Sequence, residues 1–224
     1  CAVLSLTSNF PSGSSFPVGV TAVTYTATDT AGNPFSASFD VTVTDNEDPA
    51  ISGMPTDITQ AAAAGVGSAI VTWTAPTAAD NCALASLVSS HASGSSFPIG
   101  VTTVTYTATD DSGNTSSASF TVTVSDNESP VISGLPGNLT VSAAAGLCSA
   151  LVNWTAPTAS DNGALVSFTS TAAPGDSFPV GSTTVTYSAT DDAANVTTAS
   201  FTVTVTDDEL PVFLTTPAAI TLSA

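Results

Sequence analysis

Carboxylates cluster at three places in this chain: Asp45-Asn46-Glu47-Asp48, Asp126-Asn127-Glu128 and Asp207-Asp208-Glu209. Oxygen-rich groups of this kind are what hard divalent cations take as ligands, Ca²⁺ above all. Nearby loops offer more oxygens at Asp80-Asn81, Asp110-Asp111 and Asp161. The candidate ligands are Asp45, Glu47, Asp80, Asp126, Glu128, Asp161, Asp207 and Glu209, with Ca²⁺ the cofactor they suit and none required for folding. The spacing is not that of an EF-hand loop, and solvated turns with Asx hydrogen bonds to backbone account for the same residues.

The charge balance sharpens this choice. The chain has 18 Asp or Glu, one His and neither Lys nor Arg, for a formal net charge of −18. It has nothing with which to displace the counterions of nucleic-acid phosphates, and anionic lipid surfaces repel it. No carboxylate can meet a Lys or Arg, so each must be satisfied by water, backbone N–H groups, hydroxyls or metal cations. The lack of trypsin sites suits an exposed extracellular protein. Neither a signal peptide nor an apolar run near ~18 residues occurs, so no membrane span is expected.

Catalytic chemistry finds little to work with. The many Ser residues lack a basic partner, and His91 has Phe10 and Ala172 as its counterparts elsewhere in the chain. Asp110 and Asp111 are adjacent in a turn, which suits a metal or solvent better than acid/base work on a sugar. No enzyme is expected.

These residues recur because the chain repeats. Phe97–Pro130 has close copies at Phe16–Pro49 and Phe178–Pro211, each 81 residues after the last and without insertion or deletion. Residues 1–47 match the last part of a repeat, 48–128 and 129–209 are complete copies, and 210–224 open another with its first strand. Each complete copy is long enough to hold its own core.

Within 48–128, strands are expected at Ala50–Ser52, Asp57–Gln60, Ser68–Thr74, Cys82–Ser90, Phe97-Pro98, Val101–Thr109 and Ser117–Ser125. The run Ala61–Ala64 is too short and too close to glycines for a helix. Strict alternation puts Val104, Tyr106 and Ala108 on one face, and Phe120, Val122 and Val124 on another. Asp110 to Asn114 supplies the Gly and Asx residues of a hairpin turn. About seven short strands per copy argue for a two-sheet antiparallel sandwich. Its expected core is Trp73, Tyr106, Phe120 and Val122, then Trp154, Tyr187, Phe201 and Val203.

The order W-T-A-P-T-A-x-D-N, F-P-x-G-x-x-x-V-T-Y-x-A-T-D, A-S-F-x-V-T-V-x-D-x-E-x-P resembles the hyalin repeat along the whole chain. The resemblance implies tandem immunoglobulin-like β-sandwiches in an extended array, extracellular or at a cell surface, associated with adhesion and without enzymatic activity. It also implies a cysteine pair within each module, one before the Trp strand and one after the Asp-Asn turn. Here those slots are Gly67 and Cys82, then Cys148 and Gly163, with Cys1 the repeat counterpart of Cys82. In an extended array Cys82 and Cys148 would lie roughly 35–40 Å apart by strand rise, beyond disulfide reach. Cys1, Cys82 and Cys148 are thus either buried unpaired residues or cross-links between chains.

Sequons stand at Asn114, Asn127, Asn138, Asn153 and Asn195. Glycans would help keep soluble a chain of mean hydropathy +0.35. The reading that follows is an extracellular structural or adhesive protein that self-associates into fibres or longer arrays. Its alternatives are a glycan- or protein-binding module and a non-catalytic appendage of a secreted enzyme. The partial ends fit a window on a longer array, with head-to-tail strand addition between subunits as the second account.

Overall fold

The computed structural model describes residues 2–212 and 219–221. Cys1 and most of the expected strand in 210–224 lie outside the described residues. All regular structure among the described residues is β. No helix among them is long and apolar enough to cross a membrane.

The strands recur with the sequence. The first copy holds β1 (Val3–Ser8), β2 (Gly19–Asp29) and β3 (Pro34–Val43). The second holds β4 (Ala50–Ser52), β5 (Ile58–Ala61), β6 (Ser68–Ile70), β7 (Thr77–Ala79), β8 (Leu84–Ser89), β9 (Ser96–Pro98), β10 (Gly100–Asp110) and β11 (Thr115–Ser125). The third repeats that set as β12 (Val131–Ser133), β13 (Leu139–Ser142), β14 (Ser149–Leu151), β15 (Thr158–Ser160), β16 (Leu165–Ser170), β17 (Ser177–Pro179), β18 (Gly181–Asp191) and β19 (Val196–Thr206). Two compact units form: Cys1–Thr59 with Ile70–Phe97 and Val101–Thr123, and Gln60–Ala69 with Pro98–Gly100 and Val124–Ala224.

In the second unit, one sheet runs β13-β19-β18-β16, with β13 parallel to β19 and the other pairs antiparallel. The ladders β12-β15 and β14-β17 complete a two-layer sandwich. Alternation turns Val185, Tyr187 and Ala189 of β18, and Phe201, Val203 and Val205 of β19, into the interior. All of these but Ala189 cluster with Ala150, Val152 and Phe178, and Trp154 packs against the cluster. The Trp154 indole N–H donates to the Tyr187 hydroxyl at 2.9 Å, and the ring stands edge-on to Phe201 at 5.3 Å. One polar handle is thus satisfied inside the sandwich while the ring contributes its area.

The first unit has the same anchor. Trp73 donates to the Tyr106 hydroxyl at 2.8 Å and meets Phe120 edge-on at 5.3 Å, and Val122 is fully buried. The β1-β2-β3 sheet has no counterpart of that Trp. Tyr25 and Phe39 match Tyr106 and Phe120, yet are 40% and 55% exposed.

Most strand ends fall within two residues of expectation, and two places differ by more. The Trp segment is a regular strand only over Ser68–Ile70. Beyond it the Ser93 hydroxyl takes the Trp73 N–H and donates back to the Trp73 carbonyl, replacing a backbone ladder. Thr77–Ala79, to which the sequence assigns no element, is strand β7, because it pairs antiparallel with β4.

Phe201→Ala is expected to destabilise the chain by about 3–5 kcal/mol, and Tyr187→Phe by about 1 kcal/mol through the orphaned indole N–H. Denaturant unfolding followed by tryptophan fluorescence checks both. An unchanged midpoint for Phe201→Ala would contradict the core.

Candidate functional site

The inward rows do not stop at apolar residues. In β10 the row Val104, Tyr106, Ala108 runs on to Asp110, and in β18 the row Val185, Tyr187, Ala189 runs on to Asp191, both 2% exposed. Each carboxylate is held by an Asn four residues on. Asp110 accepts the Asn114 backbone N–H at 2.8 Å and its side-chain N–H at 2.7 Å. Asp191 accepts the same pair from Asn195 at 2.7 and 2.8 Å. Burial pushes the Asp110 carboxyl up, but Asn114 and the Gly113 and Ser112 amides outweigh it and leave the pKa below the ordinary value. The half-buried first-copy version, Asp29 with Asn33, is also lowered, foremost by the Asn33 side chain.

The β11 row Phe120, Val122, Val124 likewise continues to Asp126, 6% exposed. Its Oδ1 accepts the Glu128 N–H at 3.1 Å and an Asn162 side-chain N–H at 3.2 Å. Its buried Oδ2 has no donor among the described residues, and neither has the buried Oδ1 of Asn162. Oxygens of Asp126, Asp161 and Asp191 all lie within 4.8 Å of one another. In the first unit Asp45, Asp80 and the Cys82 sulfur form the corresponding group, and Asp45 Oδ2 and Asp80 Oδ1 lack N–H or O–H donors.

The structure therefore brings four of the expected ligands, Asp45 with Asp80 and Asp126 with Asp161, into two separate groups. Glu128 and Glu209 point elsewhere. Their carboxylates accept the backbone N–H of Gly65 at 2.7 Å and of Gly146 at 2.9 Å. Glu47 donates its N–H to Asp45, and Glu209 donates its own to the exposed Asp207. Asp191 and Asn162, absent from the expected set, join it. Continuing the alternation one step past Ala189 was the signal for Asp191.

Glycine fills two of the cysteine slots for a steric reason. A Cβ on Gly67 would sit 2.6 Å from the Asn162 carbonyl oxygen, and one on Gly163 would sit 2.5 Å from Asp126 Oδ2. A side chain at either place forces a neighbour to move. Cys82 and Cys148 are both unpaired and exposed, which overturns the expectation that unpaired cysteines here are buried. A hydrogen bond to Asp45 foremost, then burial and the charges of Asp45, Asp80 and Asp110, holds the Cys82 thiol above its ordinary pKa.

Among the sequons, Asn114 and Asn195 spend their side-chain N–H on Asp110 and Asp191, and also reach the Asp45 and Asp126 carbonyls. Asn127, Asn138 and Asn153 are exposed, and Asn138 engages the Thr202 N–H through its oxygen only. His91 stacks at a tilt on Phe97 and bonds Ser90.

A two-sheet sandwich with a Trp–Tyr hydrogen bond in its core, repeated along one chain, defines a tandem all-β module. The chain belongs to the HYR domain family, whose model matches residues 2–43, 44–124 and 125–205. It is 41% identical over 224 residues to hyalin of Lytechinus variegatus, covering 96% of this chain and 42% of that protein. Hyalin of Strongylocentrotus purpuratus is 40% identical over 225 residues, with 96% and 19% covered. The Rattus norvegicus sushi, von Willebrand factor type A, EGF and pentraxin domain-containing protein 1 is 41% identical over 155 residues, with 67% and 4% covered. The chain spans less than half the length of these relatives. Among solved structures, a protocadherin gammaB7 EC3-6 cis-dimer aligns over 84% of this chain and 58% of its own at 17% identity, with a TM-score of 0.34, too slight a likeness to carry an argument.

Because Asp45 disfavours the thiolate, Asp45→Asn is expected to lower the Cys82 pKa and speed its alkylation by iodoacetamide near pH 8. Peptide-resolved mass spectrometry across a pH series reads the midpoint. A midpoint that does not move would contradict the Asp45–Cys82 contact.

Proposed function

We propose that this chain is a stretch of an extracellular structural and adhesive protein in which HYR modules are multiplied to give length, with no catalytic step. The observation that carries the reading is the 81-residue recurrence of one Trp–Tyr–Phe core, uninterrupted by linker residues. A protein selected for length needs the same unit again and again, whereas a recognition site or an active site needs one copy to differ. The hyalin relatives, similar over nearly the whole chain, support the same reading.

Association into fibres is part of the proposal. The free, exposed Cys82 and Cys148 support bonding between chains. Asn127, Asn138 and Asn153 are the accessible positions for glycans in a secretory compartment.

Electron microscopy of this chain beside chains carrying one and two further 81-residue copies tests the proposal. Particle length is expected to rise by a constant step per copy, and non-reducing gels to show a ladder that collapses with reductant. Length independent of copy number would overturn the structural role, and monomer throughout would overturn the cross-link.

A further inference from the structure

The carboxylates of Asp126, Asp161 and Asp191 come from three separated segments: the β11–β12 connection, the turn after β15 and the end of β18. Asp126 is more than nine-tenths buried, its Oδ1 is already committed to two N–H donors, and its Oδ2 has none among the described residues. The buried Oδ1 of Asn162 is in the same condition. Gly163 makes the gathering possible, since Asp126 Oδ2, Asp161 Oδ2 and Asp192 Oδ1 lie 2.5, 3.3 and 3.4 Å from where its Cβ would stand. An open cleft of about 270 Å³, lined in part by Gly65 and Glu128, borders the group at Asp161 and Asn162.

A buried anionic oxygen needs a donor or a cation. This chain contains no Lys or Arg to supply one. We propose that Asp126, Asp161, Asn162 and Asp191 form a Ca²⁺ site that ties these three segments together. The donors are carboxylates and an amide carbonyl, without nitrogen or sulfur, which selects a hard ion. Ca²⁺ accepts six to eight oxygens in loose geometry and takes the balance from water, whereas Mg²⁺ demands a near-ideal octahedron. The counterpart group in the first unit differs in kind. There Cys82 stands at the Gly163 position and brings a thiol among Asp45 and Asp80, a poorer set for a hard cation.

The test uses the full chain stripped with chelator, titrated with CaCl₂ in a calorimeter and melted with and without millimolar Ca²⁺. Saturable heat and a raised Tm are expected for the parent chain. Asp126→Asn is expected to lower the stoichiometry by one site and to lose that part of the Tm rise. In chelator alone it should melt no lower than the parent, because one repelling charge has gone. Asp161→Asn, at a half-buried position, gives the same readout should Asp126→Asn fail to fold. No heat and no Tm rise would overturn the site, as would an undiminished response in both variants. Equal stabilisation by Mg²⁺ would overturn the assignment to Ca²⁺. None of these outcomes depends on whether the chain forms fibres.

Discussion

A chain with 18 carboxylates and no Lys or Arg must find another way to hold its anions, and that constraint shapes every turn described here. The solution is N–H donation from close by. Asp29, Asp110 and Asp191 are each bracketed by the backbone and side-chain N–H of an Asn four residues later. Asp57 takes the Thr121 N–H, and Glu128 and Glu209 take the N–H groups of Gly65 and Gly146. Such charge-assisted bonds are stronger than neutral ones and do not depend on a partner charge. They let the strands end on buried aspartates without a cationic side chain to neutralise them.

The same residues link the turns to the core. Because side chains alternate along a strand, the row that buries Val185, Tyr187 and Ala189 also buries Asp191, and the row of Phe120, Val122 and Val124 delivers Asp126. The apolar interior and the acidic group are thus consecutive stretches of one periodic pattern. The Trp–Tyr hydrogen bond lies within that interior, and the Asp–Asn bracket closes the end of its β18 row.

Much of this was legible beforehand, for physical reasons. Alternation over β10 and β11 is long and unbroken, so Tyr106, Phe120 and Val122 could be assigned to one interior. The Asp-x-x-x-Asn spacing was present in all three copies, yet assigning Asp110 to the hairpin turn hid its place in the inward row. Strand β7 was illegible because Thr77-Ala78-Ala79 carries no pattern of its own and is defined by its bonds to β4. Glu128 read as a cation ligand because its partner, Gly65, lies 63 residues away. Gly67 and Gly163 read as lost halves of a cysteine pair, whereas the structure gives each a close neighbour that leaves no room for a side chain.

If N–H groups rather than ion pairs hold these anions, the remaining electrostatics between side chains is repulsion among exposed carboxylates. Added salt then screens only unfavourable terms. The direct measurement is the Tm of the full chain at neutral pH in chelator, from about 10 to about 150 mM NaCl, over which the Debye length shrinks from about 30 to about 8 Å. The account predicts a steady rise; a fall with salt would mean that attractive charge pairs hold the fold, and would contradict it.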